Sequence, residues 1–300
     1  MALLALLTTE RVAAQATPTA APIVPDGCAS QKRTNDDPDQ AGAANMPNDR
    51  LRLDAEVGLT VGQSPRSELV LVSPLLKARY RWSKRLAFGV AWGWLIADET
   101  AQSTESQSAF APGNPQLLGE LTLIETPRDQ LLVRAGATVP AAWLPSTVVR
   151  RGFIRGAYGY ASATRGLWNA WLWGPEQLAL SVGADWNRRL SPTVRGGAEA
   201  DAAYSIPLVP RFRQLADLFL QLAPWAEVYG PHFAFGVRAQ AVIMVAAGDH
   251  LQLSAAPYVR AELGALSLQA QVLLNLDAPL GYMDGGLGIW GLLVSMQGRL

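Results

Sequence analysis

Three observations predict an all-β chain closed into a transmembrane, antiparallel, up-and-down β-barrel of about twelve strands. The first is composition: the 300 residues are 49% hydrophobic but only 17% charged, short of the roughly 25% that keeps an ordinary soluble surface wet. The second is period, because apolar residues recur at every other position, the mark of a strand with one apolar and one polar face. The third is the spacing of the connections, which alternate between short and long. No stretch reaches the roughly 20 consecutive apolar residues of a spanning helix; the charge-free runs 135–149 and 263–276 are broken by Thr, Pro, Ser, Gln and Asn. A chain this apolar without such a helix has one other way to pair every backbone group in lipid, the closed barrel. The balance of 25 Lys plus Arg against 25 Asp plus Glu and the mean hydropathy of +0.10 give no basic field for nucleic acid, and none is expected as a partner.

In chain order, residues 1–16 read as a secretory signal, an apolar stretch ending at the small-x-small site Ala14-Gln15-Ala16. It lacks a basic region before the apolar run, and Glu10-Arg11 interrupts it. Residues 17–49 carry Pro18, Pro22, Pro25, Pro38 and Pro47 among Ala, Asp and Asn, too little apolar area to offset chain entropy, and read as a disordered periplasmic tail. Cys28 is the one cysteine, so no internal disulfide or cysteine metal site can form, and Val24-Pro25-Asp26-Gly27 before it does not look like a lipid-anchor box.

The barrel is expected over 50–300. Its first strand alternates Leu51, Leu53, Ala55, Val57, Leu59 and Val61 with Arg52, Asp54, Glu56, Gly58, Thr60 and Gly62. The same rule places strands near 51–62, 69–82, 86–97, 116–126, 131–140, 177–187, 193–205, 218–229, 233–246, 251–262, 266–276 and 286–298. Most exceed the about 5–6 residues of a soluble strand and suit a tilted membrane crossing. Short connections at 83–85, 127–130, 188–192, 230–232 and 263–265 alternate with longer ones at 98–115, 141–176, 206–217 and 277–285, as periplasmic turns alternate with outer loops. The connections 63–68 and 247–250 are the two short ones on the outer side.

A soluble sandwich also alternates; the aromatics separate the two. Tyr80, Trp82, Trp186, Phe233 and Phe235 share the apolar parity beside short turns, while Trp92, Trp94, Tyr204 and Trp290 lie toward the long loops. This suggests two interfacial girdles. The chain therefore resembles Gram-negative outer-membrane β-barrel proteins over 51–300. Its final strand, from Gly288 to Leu300, looks like the signal read by barrel-assembly machinery, although that signal normally ends in Phe or Trp. Gly113-Asn114-Pro115-Gln116-Leu117-Leu118-Gly119 with Val139-Pro140 is faintly similar to barrels assigned to phenol or hydrocarbon transport; no substrate or residue role is carried over from it.

By parity the lumen receives Arg52, Lys77, Arg79, Arg81, Arg134, Arg195, Arg238 and Arg260 against Asp54, Glu56, Glu120, Asp185, Glu199, Asp201, Glu227 and Glu262. One reading is a cross-strand ladder in which Asp54 and Glu56 neutralise Lys77, Arg79 and Arg81. The other is a polar constriction that orients a small solute. About eight strands leave a filled interior and sixteen an aqueous channel, so twelve imply a narrow or partly plugged pore. The loop 141–176, with Arg150, Arg151, Arg155 and Arg165 beside Tyr158, Tyr160, Trp168, Trp171 and Trp173, is expected either to fold into the mouth or form a lid, or else to meet lipopolysaccharide at the surface. A closed structural or adhesive barrel is the alternative to a channel. An enzyme is not expected: the histidines are His232 in a short turn and His250 at an outer turn, with only Ser254 nearby in sequence, and no Ser-His pair shares a convincing parity. No metal or other cofactor is expected, since no clustered His or calcium-loop spacing is present.

Overall fold

The computed structural model describes residues 50–64, 67–101, 106–209, 217–246, 251–277, 280–281 and 288–299. The expected signal and tail, Cys28, His250 and Leu300 lie outside the described residues. The described strands are β1 (Leu51–Ser64), β2 (Ser67–Arg81), β3 (Leu86–Ala101), β4 (Gln107–Pro112), β5 (Gln116–Glu125), β6 (Asp129–Thr138), β7 (Gln177–Arg189), β8 (Val194–Pro207), β9 (Asp217–Tyr229), β10 (Phe233–Met244), β11 (Leu251–Leu263), β12 (Leu266–Asn275) and β13 (Trp290–Arg299). Apart from β4 and β5, which both pair with β3, consecutive strands pair antiparallel, and β1 pairs with both β2 and β13, which closes the sheet. β4 and β5 lie end to end along β3, with Trp94 opposite Pro112 and Ala91 opposite Gln116. They count as one stave, and the barrel has twelve.

The break in that stave corrects the sequence reading of 98–115 as a loop. β3 continues to Ala101, and 107–112 pairs back along it. The interruption falls at Gly113-Asn114-Pro115, preceded by Pro112 and ending in Pro115, two residues that cannot donate to a ladder. Alternation hid this extension because Asp98, Glu99 and Thr100 at the end of β3 read as loop residues.

Alternation now has a direction. Leu76, Leu117, Val182, Leu222 and Phe235 stand half or more exposed on the outer face, while their strand neighbours Leu75, Gln116, Ser181, Gln221 and Ala234 are buried inside. An outer face this apolar is stable only against lipid. Among the described residues no helix is long and apolar enough to cross a membrane.

The segment after β6 settles the alternatives left open for 141–176. It forms α1 (Val148–Ala163), a turn, and a single 3-10 turn at Ala170–Leu172, and it packs inside the barrel. Ala142, Ile154, Ala157, Tyr158, Ala161, Trp171, Leu172 and Trp173 form one buried cluster with the inward residues Leu69, Leu71, Leu75, Ala91, Leu95, Ala97, Ala109, Ala111, Ala179 and Ala203. Each leucine buried there contributes about 1.5–3 kcal/mol relative to a wet lumen. The small inward residues that gave the sequence its large-small alternation make room for this plug. A Cβ at Gly93 would lie 2.5 Å from Trp173 Cη2, and one at Gly291 2.5 Å from the Thr164 carbonyl.

Candidate functional site

The lumen divides by height. Toward the long loops it is apolar and occupied by the plug; toward the short turns it is charged and open. Two cavities lie in the second half. The one beneath the plug has a volume of about 320 Å³ and is bounded by Glu56, Lys77, Glu120, Arg134, Glu199, Asp201 and Arg238 from the wall and by Arg165, Trp168 and Asn169 from the plug. The second, of about 580 Å³, opens at the short-turn end and is bounded by Arg52, Asp185, Arg195, Glu199, Glu227, Arg238 and Arg260, with Trp225, Tyr229 and Tyr258.

The plug is tied to the wall by single side chains contributed from all around the barrel. Asn114, fully buried in the broken stave, donates to the carbonyls of Trp171 at 3.1 Å and Gly174 at 2.6 Å. Its Oδ1 accepts from the amides of Ala141 and Ala142, both at 2.9 Å, so one side chain holds both ends of the plug. Gln221 brackets the tip, donating to the Leu167 carbonyl at 3.2 Å and accepting from the Asn169 amide at 3.3 Å. Asn275 donates to the Ala163 carbonyl at 3.0 Å, Tyr158 donates to that of Pro112 at 2.6 Å, and the hydroxyls of Thr60 and Thr164 meet. Burial pushes the Tyr158 hydroxyl pKa well up, which keeps it a donor.

Arg165 is the central tie. Its Nε donates to Glu56 at 2.9 Å, Nη1 to the Ser73 hydroxyl at 2.8 Å and the Ala161 carbonyl at 3.2 Å, and Nη2 to the Ser73 carbonyl at 2.8 Å. The guanidinium also stacks 4.8 Å from the Trp173 ring centre. A planar five-donor fork satisfies this set; an ammonium group could not. On the far side, Arg238 lies 4.3 Å over the Trp168 ring and donates to Glu199 at 2.9 Å.

This arrangement corrects the ladder expected between Asp54 and Glu56 and the row Lys77, Arg79 and Arg81. The register sets Asp54 opposite Lys77 but Glu56 opposite Leu75. Glu56 turns to Arg165 and keeps Lys77 only at 3.9 Å. Asp54 meets Arg52 at 3.2 Å and Gln297 at 2.7 Å. Arg79 reaches across β3 to Glu120, and Arg81 is exposed at the short-turn rim. The remaining lumen charges form two clusters, one around Glu199 and Asp201 and one around Glu227. Arg134 is bidentate to Asp201 at 2.9 and 2.5 Å and 3.9 Å from Glu199. Glu227, 2% exposed, accepts from Arg195, from Arg260 at 2.9 Å and from the Tyr258 hydroxyl at 2.9 Å. Arg260 also sits 2.7 Å from Glu262. Asp185 stands opposite Glu199 in the ladder, with Oδ1 buried and without a hydrogen-bond donor among the described residues.

Outside, Tyr80, Trp82, Trp186, Phe233 and Phe235 are exposed near the short turns, and Tyr204 and Trp290 near the opposite end. Trp92 and Trp94 differ from the expectation: because β3 runs on to Ala101, they stand at mid-strand, their rings tilted at 44° with centres 4.7 Å apart. The Trp92 indole donates to the Gly113 carbonyl at 3.0 Å, an acceptor freed by the break in the neighbouring stave. His232 lies exposed in a short turn, and no group of three or more metal-ligating residues occurs among the described residues. The residues that tie the plug and that sequence reasoning did not single out for this role are Asn114, Gln221, Asn275, Ser73 and Thr60. Each is an uncharged polar residue, and nothing in its local pattern separates an anchor from an ordinary lumen position.

No protein-family model matches the chain, and no curated protein matches it. Among solved structures, the COG4313 outer membrane channel from Pseudomonas putida F1 is similar over 85% of this chain and 97% of that one, with a TM-score of 0.54 and 11% sequence identity. The KdgM porin matches over 83% of this chain and 99% of its own, and a NanC porin over 83% and 100%, each with a TM-score of 0.49, at 5% and 7% identity. At 11% identity the likeness to the COG4313 channel is one of fold alone, a closed antiparallel β-barrel.

Proposed function

We propose that the protein is a diffusion channel of the Gram-negative outer membrane for small solutes, in which the segment 141–176 is a gate. In this reading residues 1–16 are a cleaved signal, 17–49 a periplasmic tail, the short turns face the periplasm, and the long-loop end meets lipopolysaccharide. The assembly machinery reads β13, and the charged residues of the two cavities line the pore. The observation that carries it is the shared cavity under the plug, where Arg165, Trp168 and Asn169 face wall charges across about 320 Å³. The ties of the plug leave this charged space open beneath it, so that the plug, and not the wall, narrows the lumen in this reading. The packing of the plug also carries local costs. Gly166, Leu167 and Asn169 take φ of 63°, 62° and 53° within four residues, the left-handed region that costs a non-glycine residue about 1 kcal/mol or more. The indole N–H groups of Trp171 and Trp173 are buried without an acceptor among the described residues. Such costs lower the free energy needed to release the segment.

A second reading, a closed structural barrel, is favoured by the extent of the apolar cluster around the plug. Planar-bilayer recording decides between them. The wild type should conduct weakly or intermittently, and a variant lacking 148–166 should conduct steadily and more. A folded deletion variant no more conductive than the wild type overturns the gate, and silence from both overturns the channel.

A further inference from the structure

The lumen charges are distributed unevenly, and the imbalance falls at one place. Around the cavity beneath the plug, Lys77, Arg134, Arg165 and Arg238 face Glu56, Glu120, Glu199 and Asp201, four against four. The larger cavity is different. Its carboxylates are Asp129, Asp185, Glu199 and Glu227. Its cations are Arg52, Arg195, Arg238 and Arg260 from the wall and Arg128, Arg188 and Arg189 from the short-turn mouth. Even when Asp54 and Glu262, which pair with Arg52 and Arg260 from outside this lining, are added, the arginines remain in excess.

The excess is concentrated where the turns after β5 and β7 come together. The Arg189 amide donates to the Arg128 carbonyl at 2.8 Å, which places the two residues side by side. Arg189 is also directly opposite Arg195 in the β7–β8 ladder, on the lumen parity. Like charges directly opposed across strands repel; Arg195 is held there by the buried Glu227 carboxylate, whereas Arg189 has no such partner among the described residues. Of the carboxylates, Asp129 answers only Arg188, at 3.7 Å, and Asp185 and Glu199 sit deeper. Glu227 is saturated by Arg195, Arg260 and Tyr258 and projects no free charge. Among the described residues, Arg128 and Arg189 have no carboxylate within ion-pair distance, and both are exposed. Beside them Arg195 lies 5.5 Å over the Tyr229 ring, which fixes its guanidinium plane at the cavity wall.

We propose that this mouth is a binding site for small organic anions bearing two carboxylates, with Arg128 and Arg189 as the primary ligands and Arg188 and Arg195 behind them. Guanidinium forks match carboxylates bidentately, and two unpaired forks on adjacent turns suit a dicarboxylate better than a monoanion. The site deepens the channel reading by naming the class of solute it would admit, yet its occupancy does not depend on conduction. It can therefore be measured when the gate is shut.

The test is calorimetric titration of succinate into the whole protein in zwitterionic micelles at low salt, with neutral succinamide as the control. Saturable succinate binding is expected, weakening as salt rises, with none for succinamide. Arg128→Gln with Arg189→Gln should weaken it about tenfold or more, and because neither residue holds an ion pair the variant should unfold in urea at the same midpoint as the wild type. Nanodiscs with and without phosphatidylglycerol separate a soluble anion from a lipid headgroup: competition by the anionic lipid would assign the arginines to the membrane surface and overturn the proposal. So would equal binding of succinamide, or succinate binding that the double variant leaves unchanged. Silent bilayer recordings beside intact succinate binding would remove the channel reading and keep the site.

Discussion

Replacing Arg165 by Met removes the charge while keeping an unbranched side chain of similar reach. In the wild type the Arg165 side chain is 7% exposed and that of Glu56 21%. Without the guanidinium, Glu56 keeps only Lys77 at 3.9 Å, and the Ser73 hydroxyl and carbonyl each lose their donor from the plug. Removing one member of a buried ion pair costs about 3–5 kcal/mol. Because Glu56 borders a cavity and retains some solvent, the lower end, about 3 kcal/mol, is the expected loss. The loss falls on the plug and not on the barrel, since Arg165 belongs to no strand. At roughly 1.4 kcal/mol per decade, the plug should open about two decades more often, which native-state hydrogen exchange of the α1 amides would read directly. Glu56→Gln in the same background removes the stranded charge and should restore about 1–2 kcal/mol, a coupling within the range measured for contacting residues. Unchanged protection of α1 in Arg165→Met, or a double variant as destabilised as the two single variants summed, would refute the assignment of this pair as the plug's central tie.

Three further outcomes follow from the same geometry. Asn114→Ala strips four hydrogen bonds from the two ends of the plug; at about 0.5–1.5 kcal/mol net for each it should loosen the plug by roughly 2–6 kcal/mol, seen as proteolytic cleavage within 141–176 while the barrel stays resistant. Gly93→Ala places a methyl 2.5 Å from the rigid Trp173 ring and should cost about 1–3 kcal/mol by overpacking, whereas Gly119→Ala, with nothing within 4 Å, should leave α1 exchange unchanged. Leu268→Arg, on the outer face, should cost about 2–4 kcal/mol in refolding titrations into lipid; Gln269→Arg, which opens on the larger cavity, should be tolerated, and equal penalties would contradict the direction of the alternation.

The sequence by itself determined the barrel. A period of two is a property of each strand alone, and composition together with the spacing of turns says that the apolar face needs lipid, so strand number, closure and the inward parity of the charges were all legible. The parity of Leu51 or Leu76 was enough to say which way each residue faces. What occupies the lumen depended on tertiary structure. The position of 141–176 is fixed by partners far away in the chain: Asn114 is 57 residues from Trp171, Ser73 is 92 from Arg165, and Glu56 is 109 from it. No local pattern marks such pairs, because a buried anchor and a solvated lumen residue are the same amino-acid types. The choice among ion-pair partners was equally hidden, since several cations lay within reach of Glu56. Register and the arrival of a side chain from outside the sheet decided it. The break at Gly113-Asn114-Pro115 looked like the end of a loop for the same reason: the prolines announce that the ladder stops there, and only the pairing of 107–112 back onto β3 shows that the stave continues above it.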